Sequence, residues 1–237
     1  DMTDVLLENN GTLDKYIGDA IVAFYGAPID VDNHEYWACK TAIEMQDKLA
    51  ILREGWQREG DRWPEIVHNM QNRIGISSGE MVTGNMGSEA RMNYTMMGDN
   101  VNTAARLESS AKQYGVYIQI ADSTYQAVKE KVVVRDLDNV VVMGKNEPVK
   151  VWELISEVGK EPDQYKKILP AYHEALDLYK KQEWSKAIDA FKASDELEEM
   201  FGGRKTNPSR IYIPRCEHYQ ENPPGEDWDG VWTLTSK

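Results

Sequence analysis

Short runs in which hydrophobic and polar residues alternate dominate the first two thirds of the chain, and this pattern is typical of β-strands. Two such runs, residues 12–17 and 20–25, flank Gly18 and Asp19. A Gly-Asp pair between alternating runs predicts a β-hairpin with a two-residue turn. Further strands are predicted at residues 71–77, 80–84, 92–97, 116–120, 132–135, 140–143 and 149–155.

Apolar residues at helical spacing predict three helices among these strands. The longest covers residues 35–54, where Ala, Ile, Met and Leu recur every three or four positions. A second helix is predicted to begin at Asp99, a favourable N-cap, and to end at Gly115, and a short third one covers residues 123–128. Alternating strand pairs and helices predict an α+β domain, residues 1–156, in which helices pack against one mostly antiparallel sheet.

The pattern changes after a polar linker at residues 157–162, beyond which only helical patterns occur. Ala175, Ala187 and Phe191 match the small and aromatic positions at which the paired helices of a tetratricopeptide repeat pack closely. We therefore predict a second domain, residues 163–237, as a small all-α tetratricopeptide-like extension. Its helices are predicted at residues 163–181, 184–200 and 208–219.

About one and a half repeats are visible in this extension, whereas a peptide-binding groove needs about three or more. A structural role against the first domain is therefore favoured. The aromatic tail is predicted to pack back onto the protein through Trp228 and Trp232.

Composition narrows the classes of function. The chain has 27 Lys and Arg residues against 40 Asp and Glu residues, a formal charge of −13, which argues against nucleic acid as a partner because a phosphate-backbone binder needs a basic surplus. A hydrophobic content of 41% and a charged content of 28% are typical of a packed soluble protein. Two cysteines cannot form a disulfide framework, which predicts a reducing, cytoplasmic compartment.

No apolar run approaches the roughly 18 to 20 residues that a membrane helix needs, so no direct membrane contact is expected from this segment. Asp1 stands where an initiator Met would be, and residues 1–7 have the pattern of the interior of an amphipathic helix. We therefore expect the chain to be part of a longer protein, which leaves a membrane anchor upstream open.

Four features carry candidate chemistry: residues 15–19, residues 93–98, the pair Asn102 and Arg106, and Lys145 after Gly144. Each has an ordinary explanation taken alone. A Gly-Asp tip is usually only a turn, two polar residues four apart usually form a solvated helix face, and a lysine beside a glycine is most often on the surface. The four histidines have no metal-ligand spacing.

Three blocks taken in order change this picture. LDKYIGDA at residues 13–20, GISSG at residues 75–79 and GDNVNTAARLE at residues 98–108 resemble the signature blocks of the class III nucleotidyl cyclases. The resemblance covers roughly residues 1–156, and the helical extension is similar to the short repeat-like segment that ends some bacterial members. It implies a ferredoxin-like βαββαβ core in a head-to-tail homodimer with shared active sites. It also implies attack of the ribose 3′-hydroxyl of a nucleoside triphosphate on its α-phosphate, with release of pyrophosphate.

The resemblance also implies site residues. Asp19 matches one of two carboxylates that hold a pair of Mg²⁺ or Mn²⁺ ions. Lys15 and Thr95 match the base-reading positions, Lys15 donating to a ring nitrogen and Thr95 accepting from an exocyclic amine. Such a pair suits adenine, whereas guanine readers in the family pair Glu with Cys or a similar residue. Asn102 matches the residue that orients the ribose, and Arg106 the one that stabilises charge on the phosphorus in the transition state.

Two departures from the family pattern matter. The first strand, with the other metal carboxylate, is not among the 237 residues, so the resemblance implies half a metal site and no cyclisation by this segment alone. Many members also have Lys-Gly-Lys where this chain has Met143, Gly144 and Lys145, so either Lys145 contacts the triphosphate or that contact is lost. The leading interpretation is an adenylate cyclase that uses ATP. A guanylate cyclase, or a non-catalytic module that binds nucleotide or a partner protein, stays open.

Overall fold

The computed structural model describes residues 1–140, 149–198, 204–225 and 227–232. In chain order they form α1 (Met2–Glu8), β1 (Thr12–Ile17), β2 (Ala20–Phe24), α2 (His34–Arg58), a 3₁₀ turn (Gly60–Arg62), α3 (Glu65–His68), β3 (Ile74–Ile76), β4 (Val82–Ser88), β5 (Arg91–Met97), α4 (Asp99–Tyr114), β6 (Ile118–Ala121), α5 (Asp122–Val128), β7 (Val132–Val140), β8 (Val149–Glu157), α6 (Tyr165–Lys180), α7 (Trp184–Glu198) and α8 (Pro208–Glu221). Among the described residues, no helix has the length and apolarity needed to cross a bilayer.

The described strands form three sheets. One has four strands in the order β3-β6-β8-β7, in which β3 and β6 are parallel and the other neighbours antiparallel. The other two are separate antiparallel hairpins, β1 with β2 and β4 with β5. The α+β class is confirmed. The prediction of one sheet is wrong, because within the described residues no strand of either hairpin pairs with a strand of the four-stranded sheet.

Helix boundaries differ in detail from the prediction. Helix α4 has Gly98, not Asp99, at its N-cap, and Asp99 lies in the first turn, where a carboxylate complements the helix dipole. It ends as predicted at Gly115, which has the left-handed conformation (φ 66°) that glycine tolerates. Helix α2 continues to Arg58, four residues beyond its predicted end.

Strand β7 replaces two predicted strands. The charged residues after Val134 interrupt the apolar pattern, but the strand runs on to Val140, and residues 141–143 lie outside the described part. Arg135 and Asp138 are both buried within it, because each is paired with an oppositely charged side chain from another element.

Two hydrophobic clusters lie on the four-stranded sheet. Alternate residues of a strand point to opposite faces, and accordingly Ile118 and Ile120 belong to one cluster and Ala121 to the other. The first cluster includes Cys39 and Ala42 of α2. The second is built on α4 and consists of Leu107, Ala111, Tyr114, Val116, Ala121, Leu137 and Val151.

Helices α6, α7 and α8 share a third cluster that is rich in aromatic residues. Ala175, Ala187 and Phe191 are fully buried in it, at the positions predicted from their spacing. Trp228 and Trp232 pack against the same cluster, which confirms that the tail folds back. The tetratricopeptide-like character of these helices stays a prediction.

The extension is joined to the four-stranded sheet by a buried network of charges. Arg135 of β7 forms ion pairs with Glu153 of β8 at 2.6 Å and with Glu198 of α7. Arg204, just before α8, lies 3.4 Å from Glu153 and 3.3 Å from Glu198. Two cations thus neutralise two carboxylates away from water, so each charge depends on the others for its stability.

Candidate active site

Lys15 and Thr95 meet in the folded chain although 80 residues separate them. Lys15 Nζ donates a hydrogen bond to Thr95 Oγ1 at 3.3 Å. Lys15 lies on β1 and Thr95 on β5, so the contact joins the two hairpins. Strand β5 leads through Gly98 directly into α4. Thr95 therefore lies on the strand that precedes the helix carrying Asn102 and Arg106.

A third residue, Asp14, completes this contact. Thr95 Oγ1 donates to Asp14 Oδ2 at 2.8 Å, and Lys15 Nζ lies 3.4 Å from the same oxygen. Neighbouring residues of a regular strand point to opposite faces, but the register of β1 against β2 shifts between Leu13 and Lys15. This β-bulge leaves Asp14 as the extra residue, and bulges re-aim side chains in this way.

Sequence reasoning did not single out Asp14. Its side chain is 2% exposed, against 49% for that of Lys15. A carboxylate on the buried side of a strand needs a partner, and that requirement is the signal that could have marked it.

Asn102 and Arg106 lie one turn apart on the same face of α4. Thr103 and Leu107, each about 100° further round the helix, are buried, and Leu107 packs in the hydrophobic cluster between α4 and the sheet. Asn102 is exposed and Arg106 is half-buried, and within the described residues neither forms a hydrogen bond or ion pair with another side chain. Both groups are therefore available to one ligand that approaches this face.

The GISSG block positions the start of α4. Ser77 donates to Asn100 Oδ1 at 3.1 Å, and Asn100 Nδ2 donates to the carbonyl oxygen of Glu80 at 3.2 Å. A Cβ atom on Gly75 would lie 2.1 Å from the carbonyl oxygen of Ala104, so only glycine allows β3 to approach α4 this closely. The block thus holds the helix that carries the candidate pair.

The other end of α4 is held by the helical extension. Tyr114 donates to Asp138 Oδ2 at 2.6 Å, and Arg215 of α8 donates to the same oxygen at 2.6 Å. Burial, together with the Asp138 carboxylate, raises the pKa of Tyr114, so its hydroxyl remains a donor. Gly115 abuts the extension as well, because a Cβ there would lie 2.0 Å from the carbonyl oxygen of Thr206.

Asp19 lies at the exposed tip of the β1–β2 hairpin. Gly18 before it has a left-handed conformation (φ 62°), as a tight two-residue turn requires. Among the described residues no hydrogen bond or ion pair joins Asp19 to Lys15, Thr95 or the α4 pair. The structure therefore brings four of the predicted site residues into two pairs and leaves Asp19 at a separate tip.

Residues 2–156 match the family of adenylate and guanylate cyclase catalytic domains. The chain belongs to this family. The resemblance of its three sequence blocks to the class III cyclases is thereby confirmed.

Named relatives of this cyclase domain are adenylate cyclases. The terminal-differentiation specific adenylate cyclase of Dictyostelium discoideum is 33% identical over 215 residues, 89% of this chain and 10% of that protein. Adenylate cyclase 1 of Rhizobium meliloti is 29% identical over 156 residues, 66% of this chain and 23% of that protein. The chain thus spans less than a quarter of the length of either relative.

Solved cyclase structures share the fold. The adenylyl cyclase CyaB from P. aeruginosa has a TM-score of 0.58 and 29% identity, covering 68% of this chain and 80% of that one. The guanylyl cyclase Cya2 has a TM-score of 0.56 and 31% identity, covering 67% and 77%. The 68% and 67% of this chain that the two structures cover agree with the extent of the cyclase domain, since residues 2–156 are about 65% of the chain.

The Dictyostelium match extends beyond the cyclase domain. The residues up to 156 are about 66% of the 237, so a match over 89% of the chain includes much of the helical extension. The extension is therefore shared with at least one relative.

The residues present fit a divalent cation in part. Carboxylate oxygens suit Mg²⁺ and Mn²⁺, and Mg²⁺ commonly binds through one or two carboxylates while keeping several waters. Asp19 supplies one such group, and the described residues contain no cluster of three or more metal-ligating side chains. Lys145, the remaining predicted substrate contact of this cyclase domain, lies outside the described residues.

Proposed function

We propose that this chain is the catalytic region of an adenylate cyclase, which converts ATP to 3′,5′-cyclic AMP and pyrophosphate. The observation that carries the proposal is the contact of Lys15 with Thr95 at 3.3 Å, because it assembles the expected adenine-reading pair from two distant strands. The named adenylate cyclases among the relatives support it.

Each residue has a separate task in this proposal. Lys15 donates to a ring nitrogen of adenine, and Thr95 accepts from its exocyclic amine. Asn102 orients the ribose, while Arg106, which is always charged, stabilises the negative charge that builds up on the α-phosphate. Lys145 would contact the triphosphate.

Mg²⁺ or Mn²⁺, two per site, complete the proposed centre, and Asp19 would hold them through its carboxylate. When bound, such a pair of ions supplies activation of the 3′-hydroxyl and neutralisation of the leaving phosphates. The described residues contribute one carboxylate to this site, so the 237 residues alone are expected not to cyclise ATP.

A homodimer with shared sites accounts for apolar residues exposed on the hairpins. Ile17 is 62% exposed, and Val82 and Met97, which pair across β4 and β5, are 67% and 61% exposed. Tyr16 on β1 and Met92 on β5 are exposed as well. Clusters of exposed apolar residues mark interaction surfaces, and a second copy of the chain would cover these.

We also propose that residues 163–237 are a tetratricopeptide-like domain that supports the cyclase domain, residues 1–156. Their salt bridges to β7 and β8 and the link from Arg215 through Asp138 to Tyr114 support this role. Deleting residues 222–237 removes Trp228 and Trp232 from the aromatic cluster and is expected to lower the melting temperature. An unchanged melting temperature would contradict the supporting role of the tail.

The deciding experiment uses this chain extended upstream of residue 1 to include the family's first strand, a protein that we expect to be cytoplasmic. It measures the formation of cyclic AMP from ATP in the presence of Mn²⁺. Asp19→Ala is expected to abolish the activity and Arg106→Ala to lower it strongly. A folded, dimeric protein that makes no cyclic nucleotide would favour a regulatory module instead. The 31% identity to the guanylyl cyclase Cya2 makes GTP the second substrate to test, and preferred turnover of GTP would replace ATP in the proposal.

A further inference from the structure

The residues around Thr95 determine where its hydroxyl group donates its hydrogen bond. Its oxygen lies 2.8 Å from Asp14 Oδ2, and an ionised carboxylate only accepts, so the single Thr95 proton points at Asp14. The lone pairs remain available, and Lys15 Nζ donates to the oxygen at 3.3 Å. Towards a ligand, Thr95 therefore presents an acceptor and no donor.

The arrangement around Asp14 is specifically built. The bulge in β1 turns Asp14 and Lys15 towards the same Thr95 oxygen, although neighbouring strand residues ordinarily diverge. The Asp14 side chain is 2% exposed, and its Oδ1 atom has no hydrogen-bond partner among the described residues. Burial of a carboxylate in this way costs stability. The cost is explained if the carboxylate serves the nucleotide site.

Purine bases differ at the atom that Thr95 would face. Adenine carries an amine at C6, which donates, and guanine carries an oxygen there, which accepts. A hydroxyl whose proton is held by Asp14 can accept from the amine but cannot donate to the oxygen. We propose that Asp14 determines nucleotide specificity by holding Thr95 as an acceptor, so that 6-amino purine nucleotides are selected over 6-oxo ones. This inference rests on the proposed function, in which Lys15 and Thr95 contact the base.

A merely structural role for Asp14, as a counter-ion for Lys15, makes a different prediction. Loss of that ion pair would change stability and the activity with every nucleotide by the same factor. Loss of the orienting contact changes the ratio between nucleotides. The ratio of kcat/KM for ATP to that for ITP, measured in the protein that carries the family's first strand upstream of residue 1, isolates the effect, because inosine has the 6-oxo group without the 2-amino group of guanine.

Asp14→Ala is expected to lower this ATP to ITP ratio by about tenfold, because Thr95 can then rotate and donate to the 6-oxo group. The matched control is Asp30→Ala, which removes an exposed carboxylate after the same hairpin and is expected to leave the ratio unchanged. Adding Thr95→Asp to the Asp14→Ala protein restores an acceptor that cannot donate, and we expect it to recover the ratio.

Equilibrium binding of ATP and ITP to the 237-residue chain gives a readout that does not depend on catalysis. If Asp14→Ala fails to fold by circular dichroism, the isosteric Asp14→Asn decides, because its amide can donate to Thr95 and free the hydroxyl proton. A ratio within about twofold of the unsubstituted protein in both binding and turnover overturns the inference. If the unsubstituted 237-residue chain binds neither nucleotide and the protein extended upstream cyclises neither, the proposed function is overturned instead.

Discussion

Side-chain burial differs between two regions of the molecule: the four-stranded sheet with its helical extension, and the two hairpins. In the first region even charged residues are buried, and Arg135 and Glu198 are both inaccessible to solvent. In the hairpins, large apolar residues such as Ile17 and Val82 are more than 60% exposed. The candidate base-reading residues and Asp19 all lie on the hairpins.

This difference separates the residues that stabilise the fold from those that carry the proposed chemistry. The buried region pairs its charged side chains internally, whereas the hairpins leave large apolar side chains exposed within one chain. Helix α4 connects the two regions, because its N-terminal half carries Asn102 and Arg106 and its C-terminal end is held by Asp138 and Arg215.

The largest effect on stability is expected from breaking the buried charge network. Arg135→Met leaves Glu153 and Glu198 with Arg204 as their remaining cation in this network and should lower the free energy of unfolding by about 3 to 5 kcal/mol. Urea denaturation measures it. The control is Lys186→Met, which removes an exposed pair with Glu183 and should cost less than about 1 kcal/mol. Equal losses in the two proteins would contradict the contrast between the regions.

The next largest effect is expected on catalytic activity, with little change in stability. Arg106→Ala, measured in the protein extended upstream, should lower kcat by about 100- to 1,000-fold, as loss of a transition-state donor does. Its unfolding free energy should change little, because Arg106 forms no ion pair within the described residues. Lys112→Ala removes an exposed cation from the same helix and should leave kcat unaltered.

A smaller effect is expected on association. Met97→Asp places a charge on the apolar hairpin surface and should weaken the proposed dimer by about tenfold or more, as sedimentation velocity over a concentration series would measure. Ile66→Asp is the control, since Ile66 is 78% exposed but lies on α3, away from the hairpins. If both substitutions leave self-association unchanged, the hairpin surface is not the dimer contact.

The smallest effect is expected where the extension holds α4. Tyr114→Phe removes the hydroxyl that donates to Asp138 and should cost about 1 kcal/mol of unfolding free energy. Tyr179→Phe removes a buried hydroxyl that has no hydrogen-bond partner among the described residues, so it should be neutral or slightly stabilising. A neutral Tyr114→Phe would mean that Asp138 and Arg215 hold the helix end without it.

Predictions that depend on neighbouring residues succeeded best. The Gly18-Asp19 turn, the end of α4 at Gly115 and the burial of Phe191 follow from local spacing. The pairing of Asn102 with Arg106 on one face follows from the helix period. Interactions within a few residues are set by backbone geometry, which sequence patterns express directly.

What the sequence by itself determined is therefore most of the elements, the cyclase signature blocks and the residues that share one helix face. Only the tertiary structure decided that Asp14 joins Lys15 at Thr95, that β7 continues through Arg135 and Asp138, and that the hairpins form separate sheets. Each of these depends on partners far away in the chain. A charged residue appears in the sequence as a surface residue, and it becomes a buried one only when packing brings a distant group to neutralise it.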